Sequence, residues 1–291
     1  VFSADLFANA VVAGILLGGF YAAVAIGLAI VFGQLDIVNI AHPAFIIVGA
    51  YVAYILNSRF GFDPVLVGLA AAAPFFAAGA LIYRLYYAAF ERTGQESLSG
   101  LAFFFGVMFI IEVSLIMVYG VDYRLVQAGY IGRTWSVGFV DLPLRMLVPC
   151  AVSVALTAGI WLYLSRTFLG RAIQAVAQDR VALQLMGANP VRIKQWAFGL
   201  GVATAAIAGA MLIIIGPVEP SVGRQYIGRA FAIVVLGGMG SIQGMFIAAL
   251  LLGVIESMVA TFFGPSWAPA VSFGVLGLTL ALRPAGLFGR D

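Results

Sequence analysis

The chain has 291 residues, 63% of them hydrophobic and 9% charged, with a mean hydropathy of +1.09. That apolar share exceeds what a soluble domain carries, which excludes a water-soluble globular fold and makes lipid the expected solvent. The net charge of +3 arises from 15 basic and 12 acidic residues, and the basic ones lie in short segments between apolar runs instead of forming a stripe, which argues against a nucleic-acid partner.

A membrane helix needs about 20 apolar residues, so a chain of this length has room for about eight to ten spans. The expected fold class is all-α, a polytopic membrane helical bundle occupying residues 1–291 as one transmembrane domain. Apolar runs fall at 8–32, 43–56, 65–88, 101–119, 146–164, 196–215, 230–240, 245–263 and 269–283. The first, with Val11 to Phe32 longer than a signal-peptide core and no basic flank, reads as a spanning helix. The chain opens on Val1, so a few preceding residues are expected.

Two runs, 43–56 and 230–240, are too short to span alone. The first follows Phe32-Gly-Gln-Leu-Asp-Ile-Val-Asn-Ile-Ala-His-Pro43, and the second precedes Ser241 within Gly237-Gly238-Met-Gly-Ser-Ile-Gln-Gly244. Short or interrupted helices in two halves point to irregular backbone lining a substrate path; the alternative is two loops between ordinary helices. Small residues four apart, at Ala10, Gly14 and Gly18 and again at Gly201, Ala205 and Gly209, predict close helix packing.

Ionisable groups within apolar runs are costly and face a bundle interior or water. Asp36, His42, Glu112 and Glu256 qualify. Asp36, Asn39 and His42 recur every three residues, which on a helical turn puts them on one side, facing a pathway or the headgroups; His42-Pro43 equally reads as a cap and first turn. Glu112 and Glu256 are candidates for substrate contact, and Glu256 also for a helix or subunit contact.

The connection 165–194 carries Arg166, Arg171, Arg180, Arg192 and Lys194 against one acid, Asp179. The positive-inside rule makes it cytoplasmic, with Arg84, Arg92, Arg283 and Arg290 on the same side and the C-terminus there too. Arg59, Arg124, Arg133, Arg145, Arg224 and Arg229 are assigned to the opposite loops. Within the connection, Asp179 reads as the N-cap of a short helix over Arg180 to Met186, with Gly187 at the left-handed position after it. Asn189-Pro190 opens the next helix. Val181, Ala182, Leu185 and Met186 give the short helix an apolar face, suited to a partner's groove or to the headgroup layer.

Lys194 is the only lysine and is followed by Gln195, so no phosphate-binding loop ending in Gly-Lys-Ser/Thr exists here. One histidine and one cysteine, Cys150, leave no metal-ligand spacing and no catalytic set. The readings in play are therefore a transporter subunit powered by a separate ATPase, an ion-coupled secondary transporter using Asp36, Glu112 or Glu256, and a lipid-modifying membrane enzyme.

The stretches Gly27-Leu-Ala-Ile-Val-Phe-Gly, Asn39-Ile-Ala-His42, Gly49-Ala-Tyr-Val-Ala53, Leu169-Gly-Arg-Ala-Ile-Gln-Ala-Val-Ala-Gln-Asp-Arg180, Leu185-Met-Gly187, Val235-Leu-Gly-Gly-Met-Gly-Ser-Ile-Gln-Gly244 and Arg283-Pro-Ala-Gly-Leu-Phe-Gly289 resemble, in order and spacing, the LivH-type permeases of branched-chain amino acid ABC transporters. The resemblance implies a bacterial inner-membrane importer subunit with a LivM-type permease, two ABC ATPase subunits and a periplasmic solute-binding protein as partners. It implies no cofactor on this chain, ATP being used by the ATPase, and makes Asp179 to Gly187 the coupling element. Pro43 stands where the family commonly has glycine, which implies a path of different width or polarity and leaves other amino acids, urea, amides or carboxylates open as solutes.

Overall fold

The computed structural model describes residues 4–93, 98–138, 140–283 and 285–289. Eleven α-helices make up most of the described residues, and eight described helical segments, the last being Pro265–Leu282, are long and apolar enough to cross a membrane. The long helix α1 (Ala4–Leu35) is followed by α2 (His42–Phe60), which begins with Pro43 in its first turn and stops at Gly61, whose φ of 68° no β-carbon favours. Asp63 caps α3 (Pro64–Ala89) by accepting from the Val65 N–H at 2.8 Å. Next come α4 (Leu98–Tyr119), an antiparallel hairpin of β1 (Thr134–Val137) and β2 (Val140–Pro143) with Thr134 opposite Pro143, and α5 (Leu144–Arg166). The helices α6 (Phe168–Gln178) and α7 (Arg180–Leu185) lie between α5 and α8 (Pro190–Ile215). The chain closes with α9 (Gly223–Gly237), α10 (Ile242–Phe262) and α11 (Ala268–Leu282).

The helices α8 and α1 are the centre of the bundle. In their most apolar stretches 89% and 83% of residues are buried, against 17% in α4 and 11% at α11, whose apolar side chains face outward. Glycine brings the central backbones together, as the four-residue spacing predicts. A β-carbon on Gly14 would lie 2.5 Å from Val254 Cα, and one on Gly18 would lie 2.7 Å from Leu250 Cα, so α1 and α10 touch backbone to backbone, antiparallel. On α8, Gly201 meets Gly27 of α1, and Gly209 meets Ile46 and Ala50 of α2. Such contacts replace the hydrophobic drive that lipid withholds from helix association.

Several expectations need correction. The run taken as short at 43–56 belongs to a 19-residue helix, because Asn57, Ser58 and Arg59 continue it despite their polarity. The other short helix is real: α9 has 15 residues, roughly 22 Å, too little for a ~30 Å hydrocarbon core. Irregular backbone flanks it on both sides, at 216–222 before it and in the tight turn at 238–241 that leads into α10. Arg224 and Arg229 are helical residues of α9 and not loop residues. Lys194 is buried, its ammonium bonded to Glu91. The hairpin and α6 were not anticipated.

Candidate functional site: a helix crossing inside the bundle and a capped helix at its end

Helix α1 ends at Leu35, and Asp36 reverses the chain with a left-handed φ of 58°. The Ile37 N–H then donates back to Val31 O at 3.3 Å, so residues 36–41 run back alongside α1. Asn39 accepts the Ala41 N–H through Oδ1 at 3.1 Å, a local turn that opens α2. His42, the first residue of α2, places Nε2 3.1 Å from the Val24 carbonyl, which fixes Nε2 as the donor. A β-carbon on Gly27 would lie 2.3 Å from the His42 ring. Val24 lies eleven residues before Leu35, roughly 16 Å up the helix, so α2 begins inside the bundle rather than at its edge. His42 Nδ1 and Asn39 Nδ2 are buried and have no hydrogen-bond partner among the described residues.

A second re-entrant segment comes from the other end. After α8, Val218 pairs with Arg124 through two backbone bonds of 2.9 and 3.0 Å and is fully buried. Pro220 to Val222 make a 3-10 turn, and α9 starts at Gly223, where a β-carbon would lie 3.2 Å from the Pro43 carbonyl. The beginnings of α2 and α9 therefore meet within the membrane. Glu112 of α4 reaches this meeting point and pairs with Arg224 at 3.0 Å. Glu112 is roughly 20 Å from the start of α4 and 10 Å from its end. A small cavity of about 10 Å³ remains between them, lined by Pro43, Ala44, Ile47, Met108, Ile111, Glu112, Leu115, Pro220, Gly223 and Arg224.

The remaining candidates from the sequence lie elsewhere. Asp36 is exposed at the end of α1. Gly237 packs on the backbone of Met245, Gly238 adopts φ 92° against Gly289, and Ser241 caps α10 by accepting from the Gly244 N–H at 3.0 Å. The turn they form borders a cavity of about 520 Å³ whose wall includes Gln34, Gln174, Gln178 and Gln243, with Gln34 donating to the Gly240 carbonyl at 2.8 Å. Glu256 is 1% exposed. It accepts from Arg229 Nε at 3.1 Å, from Tyr21 OH at 2.5 Å and from Ser272 Oγ. That cluster ties α1, α9, α10 and α11 together, with both carboxylate oxygens hydrogen-bonded and the Arg229 Nε–H shared between them.

At the α6 to α8 end, the local chemistry read from the sequence is present bond for bond. Asp179 Oδ1 accepts the N–H groups of Val181 and Ala182 at 2.8 and 2.9 Å. Gly187 has φ 81°, and Asn189 accepts from Val191 and Arg192 at 3.0 and 3.2 Å. Leu183 is 5% exposed and holds α7 to the protein, while Val181, Ala182, Leu185 and Met186 face outward, Leu185 at 85% exposure. Arg180 contributes its backbone to α7; its side chain lies outside the described residues. Beneath this element, the Lys194 ammonium bonds Glu91, which also accepts from Tyr83 OH at 2.8 Å.

Sequence reasoning missed Arg224, Arg229 and the Lys194–Glu91 pair. The signal was available: Glu112 and Glu256 sit mid-run, and a carboxylate at that depth requires a cation. Among the described residues, no group of His, Cys, Asp and Glu is placed to hold a metal ion.

A bundle of spanning helices, with re-entrant backbone meeting inside it and a capped apolar helix presented at one end, has the architecture of a membrane permease. The chain belongs to the family described as the permease component of branched-chain amino acid transport systems, whose model matches residues 10–280. It is 32% identical to the high-affinity branched-chain amino acid transport permease protein BraD of Pseudomonas aeruginosa, covering 95% of this chain and 94% of that one. Against LivH of Escherichia coli the identity is 27%, with coverage of 95% and 94%, and against LivM of the same organism 28%, with coverage of 92% and 67%. Among solved structures, PsaBC from Streptococcus pneumoniae gives a TM-score of 0.49 at 14% identity over 97% of this chain and 93% of that one, a likeness too loose to bear on function.

Proposed function

We propose that this chain is one of two permease subunits of an ATP-driven importer of branched-chain or other amino acids and similar small polar solutes in the bacterial inner membrane, with α7 as the surface on which an ATPase subunit docks. The observation that carries this is α7 itself. A six-residue helix capped at both ends displays Val181, Leu185 and Met186 to solvent at the base of the buried helix α8. A rigid apolar knob joined to the central helix is the part through which a separate motor can move the bundle. No phosphate-binding loop exists in the chain, so the motor is another subunit.

The α7 end is then cytoplasmic. With Arg224 and Arg229 moved from the loops into α9, the hairpin end keeps Arg59, Arg124, Arg133 and Arg145, and the excess of basic residues at the α7 end grows. Similarity to both LivH and LivM supports a LivM-type second permease. A periplasmic binding protein would dock on the hairpin end and deliver solute toward the crossing of α2 and α9. ATP binding drives the change of state through its different affinity for the two conformations. The ion-coupled alternative lacks support, since Glu112 and Glu256 each already hold an arginine.

The test is co-purification and uptake. The tagged chain should bring down an ATPase and a second permease, and proteoliposomes of the complex should take up amino acid only with ATP. Leu185→Glu should abolish ATPase docking while leaving membrane insertion intact. Uptake by this chain alone that an uncoupler collapses would overturn the proposal.

A further inference from the structure

We infer that Glu112 and Arg224 are the recognition point for the two charges of an α-amino acid, the carboxylate going to Arg224 and the ammonium to Glu112. Ile47, Met108, Ile111 and Leu115 would receive an apolar side chain. The inference rests on the reading of the chain as an amino-acid permease and deepens it by assigning a site.

Three observations converge. First, the pair lies well inside the span, yet the Arg224 side chain is 60% exposed whereas Glu112 is 11% exposed. A guanidinium at that depth cannot face lipid, so its open side faces an aqueous path or the second permease across that path. Second, the pair stands where two re-entrant segments end and α2 and α9 begin, with the Pro43 carbonyl against Gly223. Irregular backbone at membrane depth is retained where it lines a route. The dipoles of both helices place positive potential there, which favours a carboxylate on the Arg224 side. Third, the uncharged side chains around the pair are apolar, so the site pairs two opposite charges with a dry wall, the complement of a zwitterion carrying a hydrocarbon side chain.

The present cavity, about 10 Å³, holds one water at most, so this is the closed form, with the two protein charges neutralising each other. An entering zwitterion separates them and gives each a new partner. The site stays neutral throughout and no charge is left bare. A solute with a single charge would strand either Glu112 or Arg224 in a low-dielectric environment, which is the basis of selection.

The test uses the assembled transporter in proteoliposomes, with its partner permease, ATPase and binding protein. With Glu112→Gln and Arg224→Gln combined, ATP-driven leucine uptake should fall at least tenfold while hydrolysis stimulated by the loaded binding protein stays within twofold. Arg224→Lys should keep more than a third of uptake. Should the neutral pair not assemble, a Met108→Cys complex on a Cys150→Ala background supplies a second measurement without the binding protein. Leucine should slow thiol labelling at residue 108 at least fivefold, and neither 3-methylbutylamine, which lacks the carboxylate, nor 4-methylpentanoate, which lacks the ammonium, should do so. Wild-type uptake in the neutral pair, or labelling indifferent to leucine, overturns the inference alone. A wild-type complex that takes up no amino acid with ATP overturns the proposed function instead.

Discussion

Lys194→Met isolates the buried ion pair with Glu91 near the start of α8. The side chains of Lys194 and Glu91 are 2% and 8% exposed, so neither charge is solvated by water and the usual discount for a surface ion pair does not apply. Removing the ammonium takes away the Lys194 bond to the Glu91 carboxylate, which keeps its bond from the Tyr83 hydroxyl at 2.8 Å, a neutral donor. Breaking a buried pair on one side costs about 3–5 kcal/mol, whereas replacing both members with apolar groups of similar volume is often neutral. The expected result is a loss of about 3–5 kcal/mol for Lys194→Met and recovery of most of it in the double variant Lys194→Met with Glu91→Leu. Reversible unfolding of the reconstituted complex in a denaturing detergent titration reads both. A single variant costing less than about 1 kcal/mol, or a double variant worse than the single, would refute the reasoning that charge burial sets the cost.

Gly187→Ala tests backbone strain alone, because a β-carbon there meets nothing within 4 Å but must adopt φ 81°. The expected cost is about 1 kcal/mol, seen as faster hydrogen exchange at the Ala188 amide, which bonds Leu183 O at 3.2 Å. Asp179→Ala removes the acceptor for Val181 and Ala182 and should cost about 1 kcal/mol, lowering the ATPase response to loaded binding protein without lowering the yield of membrane-inserted protein. Gly253→Leu should yield no folded complex, since a β-carbon there would sit 2.4 Å from the Gly18 backbone nitrogen; normal assembly on size-exclusion chromatography would contradict the backbone contact.

The parts of this protein governed by local chemistry were legible in the sequence. Asp179, Gly187 and Asn189-Pro190 each act through a bond or a dihedral within three residues of themselves, and the α7 element appears as those residues predict. The small-residue spacing around Gly14 and Gly201 likewise announced close contact, although not with which helix. What could not be read depends on where the chain re-enters the bundle. Asp36, Asn39 and His42 are spaced as on a helical turn, but Asp36 is left-handed and the segment runs back along α1, which separates Asp36 from His42. Hydropathy started the short run at Ala230 because Arg224 and Arg229 lower it, yet both arginines are helical since Glu112 and Glu256 neutralise them. Lys194 counted as an exposed loop cation for the same reason: charge in sequence carries no mark of its partner until the fold supplies one.

The two candidate sites are joined by a single element. Helix α8 starts at the Asn189 cap, directly after α7, and at Gly201 and Thr204 it lies against Gly27 of α1, which the His42 ring at the start of α2 also touches. Farther along it meets α2 again, where a β-carbon on Gly209 would lie 2.0 Å from the Ile46 carbonyl. Contacts of this kind, backbone against backbone, contain no flexible side chains that could absorb a displacement. A push on α7 therefore cannot be taken up inside the α8–α2 contact and must move the two helices together. The start of α2 forms one wall of the Glu112–Arg224 site, and the Pro43 carbonyl lies against Gly223 of α9. The looser join lies there, where the Glu112–Arg224 ion pair links α4 to α9 beside a small cavity that separates them from α2. Displacement delivered by α8 is thus expected to open the bundle at the crossing of α2 and α9, where the proposed solute site lies.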